Sequence, residues 1–263
     1  MNLATLTDEQ FDALPLVVEG ESKVVRDAGG GEAVIRFKPT IYSFTSNRAG
    51  VVPGSDVLRL RASRVFVEVL RRAGIRHAYR EVTDRFVRAD LIARPPPIEV
   101  VVKAFHSGTS KHRYTGMAGT PVRASHPFHA GRTFADEDGY PEPIVRFDWR
   151  NPLRHPGSGK TLADEVLGEA QADWFIDTKK ARATALATFR ALQDFLAERD
   201  VVVYDLCLFV TEDGETVFGE VSQDCGRFRH FDLGSLDKDV WRAGGSSDAV
   251  LAKWQLLLDI IEK

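Results

Sequence analysis

Three consecutive prolines, Pro95-Pro96-Pro97, stand directly before an almost wholly apolar run, Ile98–Phe105. Proline fixes φ and offers no N–H to a ladder, so the run cannot lie inside a helix or a sheet and reads as an extended connector. The connector divides the chain into two lobes, residues 1–94 and residues 95–263. A two-lobed chain has its natural ligand site in the cleft between the lobes.

Short strands and amphipathic helices alternate along the chain, without an internal repeat. Residues 17–25 and 33–37 read as strands around Gly29-Gly30-Gly31, the opening hairpin of a small antiparallel lobe. A helix capped by Ser55 or Asp56 and closed by Gly74 carries Val57, Leu58, Val65, Phe66, Val69 and Leu70. In the second lobe a strand is expected at 98–105. Residues 108–156, rich in His, Gly, Pro and Arg, read as mostly loop with one strand at 144–149. A helix follows at 178–199, with Ala185, Phe189, Leu192 and Leu196 on one stripe. Residues 201–210 and 216–222 form a hairpin across Asp213-Gly214, and a helix over 248–261 ends the chain. The class is α+β, a small antiparallel lobe beside a larger α/β lobe.

Composition excludes several functions. Lys and Arg number 35 against 38 Asp and Glu, a net charge of -3, which argues against a nucleic-acid binder. No stretch approaches the ~20 apolar residues of a membrane span, and Asp8, Glu9 and Asp12 are unlike a signal peptide. The expected location is the cytoplasm. Cys207 and Cys225 have neither metal-ligand nor disulfide-scaffold spacing, and no histidine pair repeats at zinc-site spacing. Gly157-Ser158-Gly159-Lys160-Thr161 resembles a P-loop, but Arg154 stands where its first glycine belongs.

Strand periodicity locates the chemistry. Alternate residues share a face, so Glu99, Val101, Lys103 and Phe105 point together. Charges in such an apolar run are costly unless paired or ligand-bound. Ser107, Gly108 and Thr109 follow as a small turn of N–H groups and hydroxyls, and a lysine before such a turn suits a phosphate. On the hairpin Asp205, Cys207 and Phe209 share one face, and Phe218, Glu220 and Ser222 share another; Asp224 and Arg227 follow. Paired carboxylates beside an arginine fit Mg²⁺–nucleotide or anion binding. A structural salt bridge would use the same letters, and spacing leaves both readings open.

These motifs together resemble the SAICAR synthetase (phosphoribosylaminoimidazole-succinocarboxamide synthase) family, over residues 19–242. Glu19-Gly20-Glu21-Ser22-Lys23 resembles its EGKxK opening, and Pro97 to Lys103 with Gly108-Thr109 its P-(I/V)-E-x-V-V-R…G-S signature. Phe147-Asp148-Trp149-Arg150-Asn151 stands at an aromatic run ending in Lys-Asn or Lys-Asp. Ser222 to Arg227 resembles S-P-D-x-x-R, and Leu236 to Arg242 is close to L-D-K-D-x-F-R. The resemblance implies a SAICAR synthetase-like two-lobed fold and a ligase that joins an amine to a ribonucleotide carboxylate using ATP and Mg²⁺. It would place Lys23 on ATP phosphates, and Lys103, Ser107, Thr109, Asp224 and Arg227 on the ribonucleotide. Asp205 and Glu220 would be catalytic carboxylates and substitute metal ligands, with Arg150 a further catalytic residue. The implied partners are the ribonucleotide-like small molecule, an amino-acid amine and a second copy in a homo-oligomer.

The departures cluster on the nucleotide side. Cys207 stands for a lysine, Phe209 for an acidic metal ligand, Gly219 for a second one, and Glu21 for the first lysine of EGKxK. Strand geometry is expected to turn Glu220 away from the face of Gly219. An altered substrate in specialised nucleoside metabolism is therefore expected. An ATP-independent lyase, hydrolase or decarboxylase and a non-catalytic ribonucleotide-binding paralogue stay open beside it.

Overall fold

The computed structural model describes residues 1–43, 48–108, 114, 116–151, 153–154, 156–157 and 162–263. The first lobe is built on an antiparallel sheet of β1 (Leu16–Glu19), β2 (Lys23–Gly29), β3 (Glu32–Phe37), β6 (Tyr79–Val82) and β7 (Phe86–Asp90), in the order β1-β2-β3-β7-β6. A two-stranded ribbon, β4 (Thr40–Ser43) and β5 (Arg48–Val51), stands beside it, and α1 (Asp8–Asp12) lays Phe11 on the sheet's face against Val24, Val34 and Phe86. The single strand expected over 17–25 is two strands. Gly20 N–H donates to the Lys23 carbonyl at 2.9 Å, closing a hairpin that pairs Glu19 with Val24. Gly29, Gly30 and Gly31 all have positive φ, a conformation glycine adopts without a Cβ penalty, which is why the next turn needs that run.

The second sheet runs β10-β9-β8-β11-β13-β14, with the short β12 on the end of β11. Its members are β8 (Ile98–Phe105), β9 (Gly139–Trp149), β10 (Glu165–Leu167), β11 (Val201–Val210), β12 (Val217–Phe218), β13 (Gly226–His230) and β14 (Gly234–Ser235). β9 starts five residues earlier than expected. Pro141 and Pro143 hide its beginning, because they fall where the register slips between the Lys103–Ile144 and Phe105–Gly139 pairs. β12 is shorter than expected because Gly219, at φ 82°, ends it.

One face of this sheet is the core. Val100, Val102, Leu206, Leu208 and Phe228 are fully buried against Ala181, Ala185, Phe189 and Leu192 of α4 (Thr178–Ala197), which follows the short α3 (Glu169–Ala172). Each large side chain buried there stabilises the fold by about 1.5–3 kcal/mol. The other face carries Glu99, Lys103, Arg146, Asp148, Asp205 and Arg227.

Helix α2 (Ser55–Arg72) belongs to both cores. Its Ala62, Phe66 and Leu70 join the large one, with Phe66 stacked 6.0 Å from Phe228, while Leu60 and Val67 pack on Phe37, Tyr79 and Val87. The helix is rotated from the expected stripe: Val57 is exposed, Arg59 is buried, and the N-cap is Gly54 with no side-chain cap. Helix α6 (Ser247–Ile261) lies against α2, joined by Arg61 to Glu262. Among the described residues no helix is long and apolar enough to cross a membrane.

Candidate active site

Three neighbouring strands set three charged side chains side by side. Asp205 on β11 is the register partner of both Lys103 on β8 and Arg227 on β13. Arg227 Nη1 donates to Asp205 Oδ2 at 2.5 Å, and Lys103 Nζ donates to the same oxygen at 3.4 Å and to the Ser107 carbonyl at 2.7 Å. Lys103 is only 1% exposed, so a ligand meets it through a rearrangement or through the field it sets up. Burial opposes the charge on Asp205, but Arg227 and Lys103 overcome it and hold the carboxyl below its ordinary range. Gly226 allows the close approach: a Cβ there would stand 2.6 Å from the Asp205 carbonyl oxygen.

The turn after β12 extends this arrangement. Ser222 Oγ donates to Glu220 Oε1 at 2.5 Å and accepts the Asp224 N–H at 3.1 Å. Glu220 also meets Lys23 Nζ at 3.3 Å and Arg59 Nε at 3.2 Å, both from the first lobe. Lys238 holds Asp224 at 3.0 Å; that cation and Arg59 keep the Asp224 carboxyl low against the cost of its burial. Further along, α5 (Asp239–Arg242) and the residues before it close the circuit: Arg227 Nε lies 3.5 Å from Asp239, while Arg229 and Arg242 each bind both Asp237 and Asp239.

The result is a network of three ion-paired groups. Lys23 and Arg59 hold Glu220, Lys238 holds Asp224, and Lys103, Arg227, Arg229 and Arg242 hold Asp205, Asp237 and Asp239. Ser222 links the first two groups, and the first and third each carry one more cation than carboxylate, which suits an anion at each.

Arg150 stands apart from this network, at the other end of β8. Its guanidinium lies over the Phe209 ring, 5.1 Å from the centroid, with Glu99 at 3.9 Å and Asp164 at 3.7 Å. Phe209 packs on Phe218, and its ring is 3.4 Å from where a Cβ on Gly219 would stand. Burial pushes the Glu99 carboxyl up to about 7; Arg150 opposes the rise, and Asp164 and Asp148 reinforce it.

That shift predicts a pH-dependent stability. A carboxyl raised from 4.5 to about 7 in the folded state favours folding fully below its unfolded value. The contribution is lost as pH rises through 7, by about 3 kcal/mol at 1.36 kcal/mol per unit. Glu99→Gln removes the penalty. The variant should melt above wild type at pH 8 and level with it at pH 4.5, measured by thermal unfolding at both pH values.

Comparison with known proteins follows from this geometry. A protein-family model described as SAICAR synthetase matches residues 16–255. The chain belongs to the SAICAR synthetase family. It is 28% identical over 294 aligned positions to "Bifunctional cordycepin biosynthesis cluster protein 3" of Cordyceps militaris, covering 94% of this chain but 33% of that protein. It is thus similar to about a third of that relative's length. It is 25% identical to the phosphoribosylaminoimidazole-succinocarboxamide synthase of Sulfolobus acidocaldarius, covering 94% of this chain and 98% of that one. Its fold matches the structure titled "SAICAR synthetase (Type-2) in complex with ADP" with a TM-score of 0.73 at 24% identity, over 93% of this chain and 96% of that one. The α+β, two-lobed SAICAR synthetase-like fold expected from the sequence is the fold observed.

Within the SAICAR synthetase frame, the structure brings Lys103, Asp205 and Arg227 into one part of the network and Lys23 and Glu220, with Asp224 linked through Ser222, into another; Ser107 supplies a carbonyl to Lys103 and its own hydroxyl to Glu137 at 2.8 Å. Arg150 is outside it, and Thr109 lies outside the described residues, as does most of the P-loop-like string. The pairing of Asp205 with Glu220 as metal ligands needs revision. Each carboxylate is held by two cations, they share no partner, and no cluster of three His, Cys, Asp or Glu able to hold a metal occurs among the described residues. Hard Mg²⁺ needs oxygen ligands, and the Phe209 ring fills the space beside Gly219, so these residues do not fit a protein-held Mg²⁺. Lys23 does fit a nucleotide phosphate: an ammonium has three donors, and its side chain is partly exposed. β12 ends before Gly219, so strand alternation does not govern Glu220, and the turn sets it against Lys23 and Arg59. Cys207 and Cys225 are pushed up by burial, Cys225 to about 12, so both thiols stay protonated and neither is a nucleophile.

Arg59, which sequence reading passed over, is the hub between the lobes. Fully buried, it donates to the Thr40 carbonyl at 2.8 Å and the Ser22 carbonyl at 3.0 Å besides pairing with Glu220. The one signal was its place on the stripe of Ala62, Ser63, Phe66 and Leu70, where a charge demands a partner.

Proposed function

We propose that this chain is a SAICAR synthetase-like ligase that forms an amide between a phosphorylated, ribonucleotide-like carboxylate and aspartate or another amine, with a substrate altered from the standard purine step. The observation that carries the reading is the group of Lys103, Arg227, Arg229 and Arg242 against Asp205, Asp237 and Asp239, which has one positive charge in surplus and contains residues that match the family's ribonucleotide motifs. In this reading residues 1–94 are the nucleotide-side lobe and residues 95–263 the substrate lobe. Arg227 anchors the 5′-phosphate; Lys103 lies buried behind it and adds its charge, and Asp224 faces the ribose or base. Lys23, at the lobe boundary, holds a phosphate of the nucleoside triphosphate that activates the carboxylate. Fixed cations around a phosphate need no reorganisation when charge develops, which is how such a site lowers a barrier. Similarity to a cordycepin biosynthesis protein supports specialised nucleoside metabolism.

A second reading has its own observation. Phe209 beside Gly219, and the cation-held Asp205 and Glu220, leave no protein-held metal site among the described residues, which favours an ATP-independent lyase, hydrolase or decarboxylase acting on the same ribonucleotide. The two separate in one assay. Protein incubated with the aminoimidazole carboxylate ribonucleotide, ATP, Mg²⁺ and a mixture of amino acids should release phosphate and give an amide adduct by mass spectrometry. Conversion of the ribonucleotide without ATP would establish the second reading in its place.

A further inference from the structure

We propose that Glu99, Arg150 and Asp164, assembled over the Phe209 ring, form the subsite of the amine substrate, and that Glu99 is the carboxylate that takes the proton from its ammonium group. The inference rests on the ligase reading and extends it to a site of its own.

Position is the first support. Glu99 lies on the same face of β8 as Lys103, four residues away, which is about 13 Å along a strand. A ribonucleotide whose phosphate sits at the Arg227 end would therefore bring its base, and the carboxylate on it, toward the Glu99 end.

Chemistry is the second. Arg150 is fixed between two carboxylates and an aromatic face yet keeps its side chain 38% exposed, and the Glu99 and Asp164 side chains are 18% and 12% exposed. A guanidinium beside two carboxylates is complementary to an amino-acid zwitterion, the carboxylate of the ligand meeting Arg150 and its ammonium meeting Glu99 and Asp164. Asp148 accepts a bidentate bond from Arg146, at 2.7 Å to each oxygen. An ammonium is the natural partner of the ionised Glu99 carboxylate.

Aromatic bulk is the third. Phe209 stands where the family motif has a carboxylate, and its ring lies under Arg150 beside Glu99. The groups facing Glu99 are Arg150 and Asp148 from β9 and its end, Asp164 ahead of β10, Lys238 ahead of α5, and Cys207 from β11, whose thiol is uncharged. In that setting Glu99 titrates near neutral pH, where a general base is most effective. The step balances simply. One ammonium N–H bond breaks and an O–H bond forms on Glu99. The freed lone pair makes the C–N bond as the C–O bond to the phosphate breaks; the second N–H proton leaves with the departing phosphate, and Glu99 returns its proton to water.

The test compares two nucleophiles on the full chain, with the aminoimidazole carboxylate ribonucleotide, ATP and Mg²⁺ present. L-Aspartate reacts only after losing a proton, whereas hydroxylamine is largely unprotonated at neutral pH. Glu99→Gln should slow amide formation from aspartate by about 100-fold or more and abolish the acidic limb of its pH profile near 7. Hydroxamate formation should fall by no more than about threefold, since the proton acceptor is then dispensable. Asp164→Asn, which keeps Glu99, should raise the KM for aspartate and retain the acidic limb. Equal losses with both nucleophiles, or none, would overturn the assignment of Glu99 while leaving the ligase reading intact. A wild-type protein that makes neither amide nor hydroxamate would remove the ligase reading, and this subsite with it.

Discussion

Replacing Arg227 with alanine is expected to destabilise the protein by about 3–5 kcal/mol, the cost of breaking a buried ion pair from one side. Asp205 would stay buried with Lys103 as its remaining cation, at 3.4 Å and with poorer geometry than the 2.5 Å bond it lost. For a chain of this length the melting temperature should fall by roughly 10 °C. The same pair makes stability depend on pH on the acid side. Arg227, with Lys103, holds the Asp205 carboxyl low, so the pair stabilises the fold above the unfolded value near 4 and loses its effect as pH falls through the folded one. Wild type and Arg227→Ala should therefore differ most at neutral pH and converge at the acid end. Pairing the change with Asp205→Asn removes the orphaned charge and should recover much of the loss. In the same variant, affinity for the ribonucleotide should collapse, because the cation assigned to its phosphate is gone.

Arg59→Ala should have an effect of similar size by a different route. Two backbone carbonyls, of Ser22 and Thr40, would lose a charged donor, and Glu220 would be left with Lys23 alone. A buried acceptor left without its donor costs about 1–3 kcal/mol, and an orphaned buried charge more, so a total of about 3–5 kcal/mol is expected. Urea unfolding would read it as a lower midpoint with an unchanged slope. Arg59→Lys should rescue little, since a point charge cannot reproduce a planar fork that reaches two carbonyls and a carboxylate at once. Arg59→Met combined with Glu220→Gln should regain most of the stability, which would show that the pair serves position more than net stabilisation.

Much of this site was legible in the sequence because strand periodicity carries across neighbours. β8 and β11 have the limits their apolar runs suggest, and alternation puts Lys103 on the face of Glu99 and Asp205 on the face of Cys207. What alternation cannot show is which strand lies next to which, and hence that Asp205 sits between Lys103 and Arg227. Glu220 illustrates the limit more sharply. A single residue of positive φ, Gly219, ends β12, and every facing argument beyond it loses its basis. The same glycine looked like a missing metal ligand, whereas in space it makes room for the Phe209 ring. Arg59 was hidden for a different reason: its partners, Ser22, Thr40 and Glu220, are distant in sequence and come together only when the lobes pack on α2. The start of β9 was concealed by prolines that a register slip accommodates.

The most direct test of the account is a calorimetric titration of the protein with the aminoimidazole carboxylate ribonucleotide and, separately, with its dephosphorylated riboside. If the cations around Arg227 form a phosphate site, the ribonucleotide should bind about 100-fold or more tightly than the riboside, a difference of about 3 kcal/mol. The gap should narrow as salt is raised. Equal affinities for the two, or a ribonucleotide whose binding ignores the loss of Arg227, would contradict the assignment and leave the network a structural clamp between the lobes.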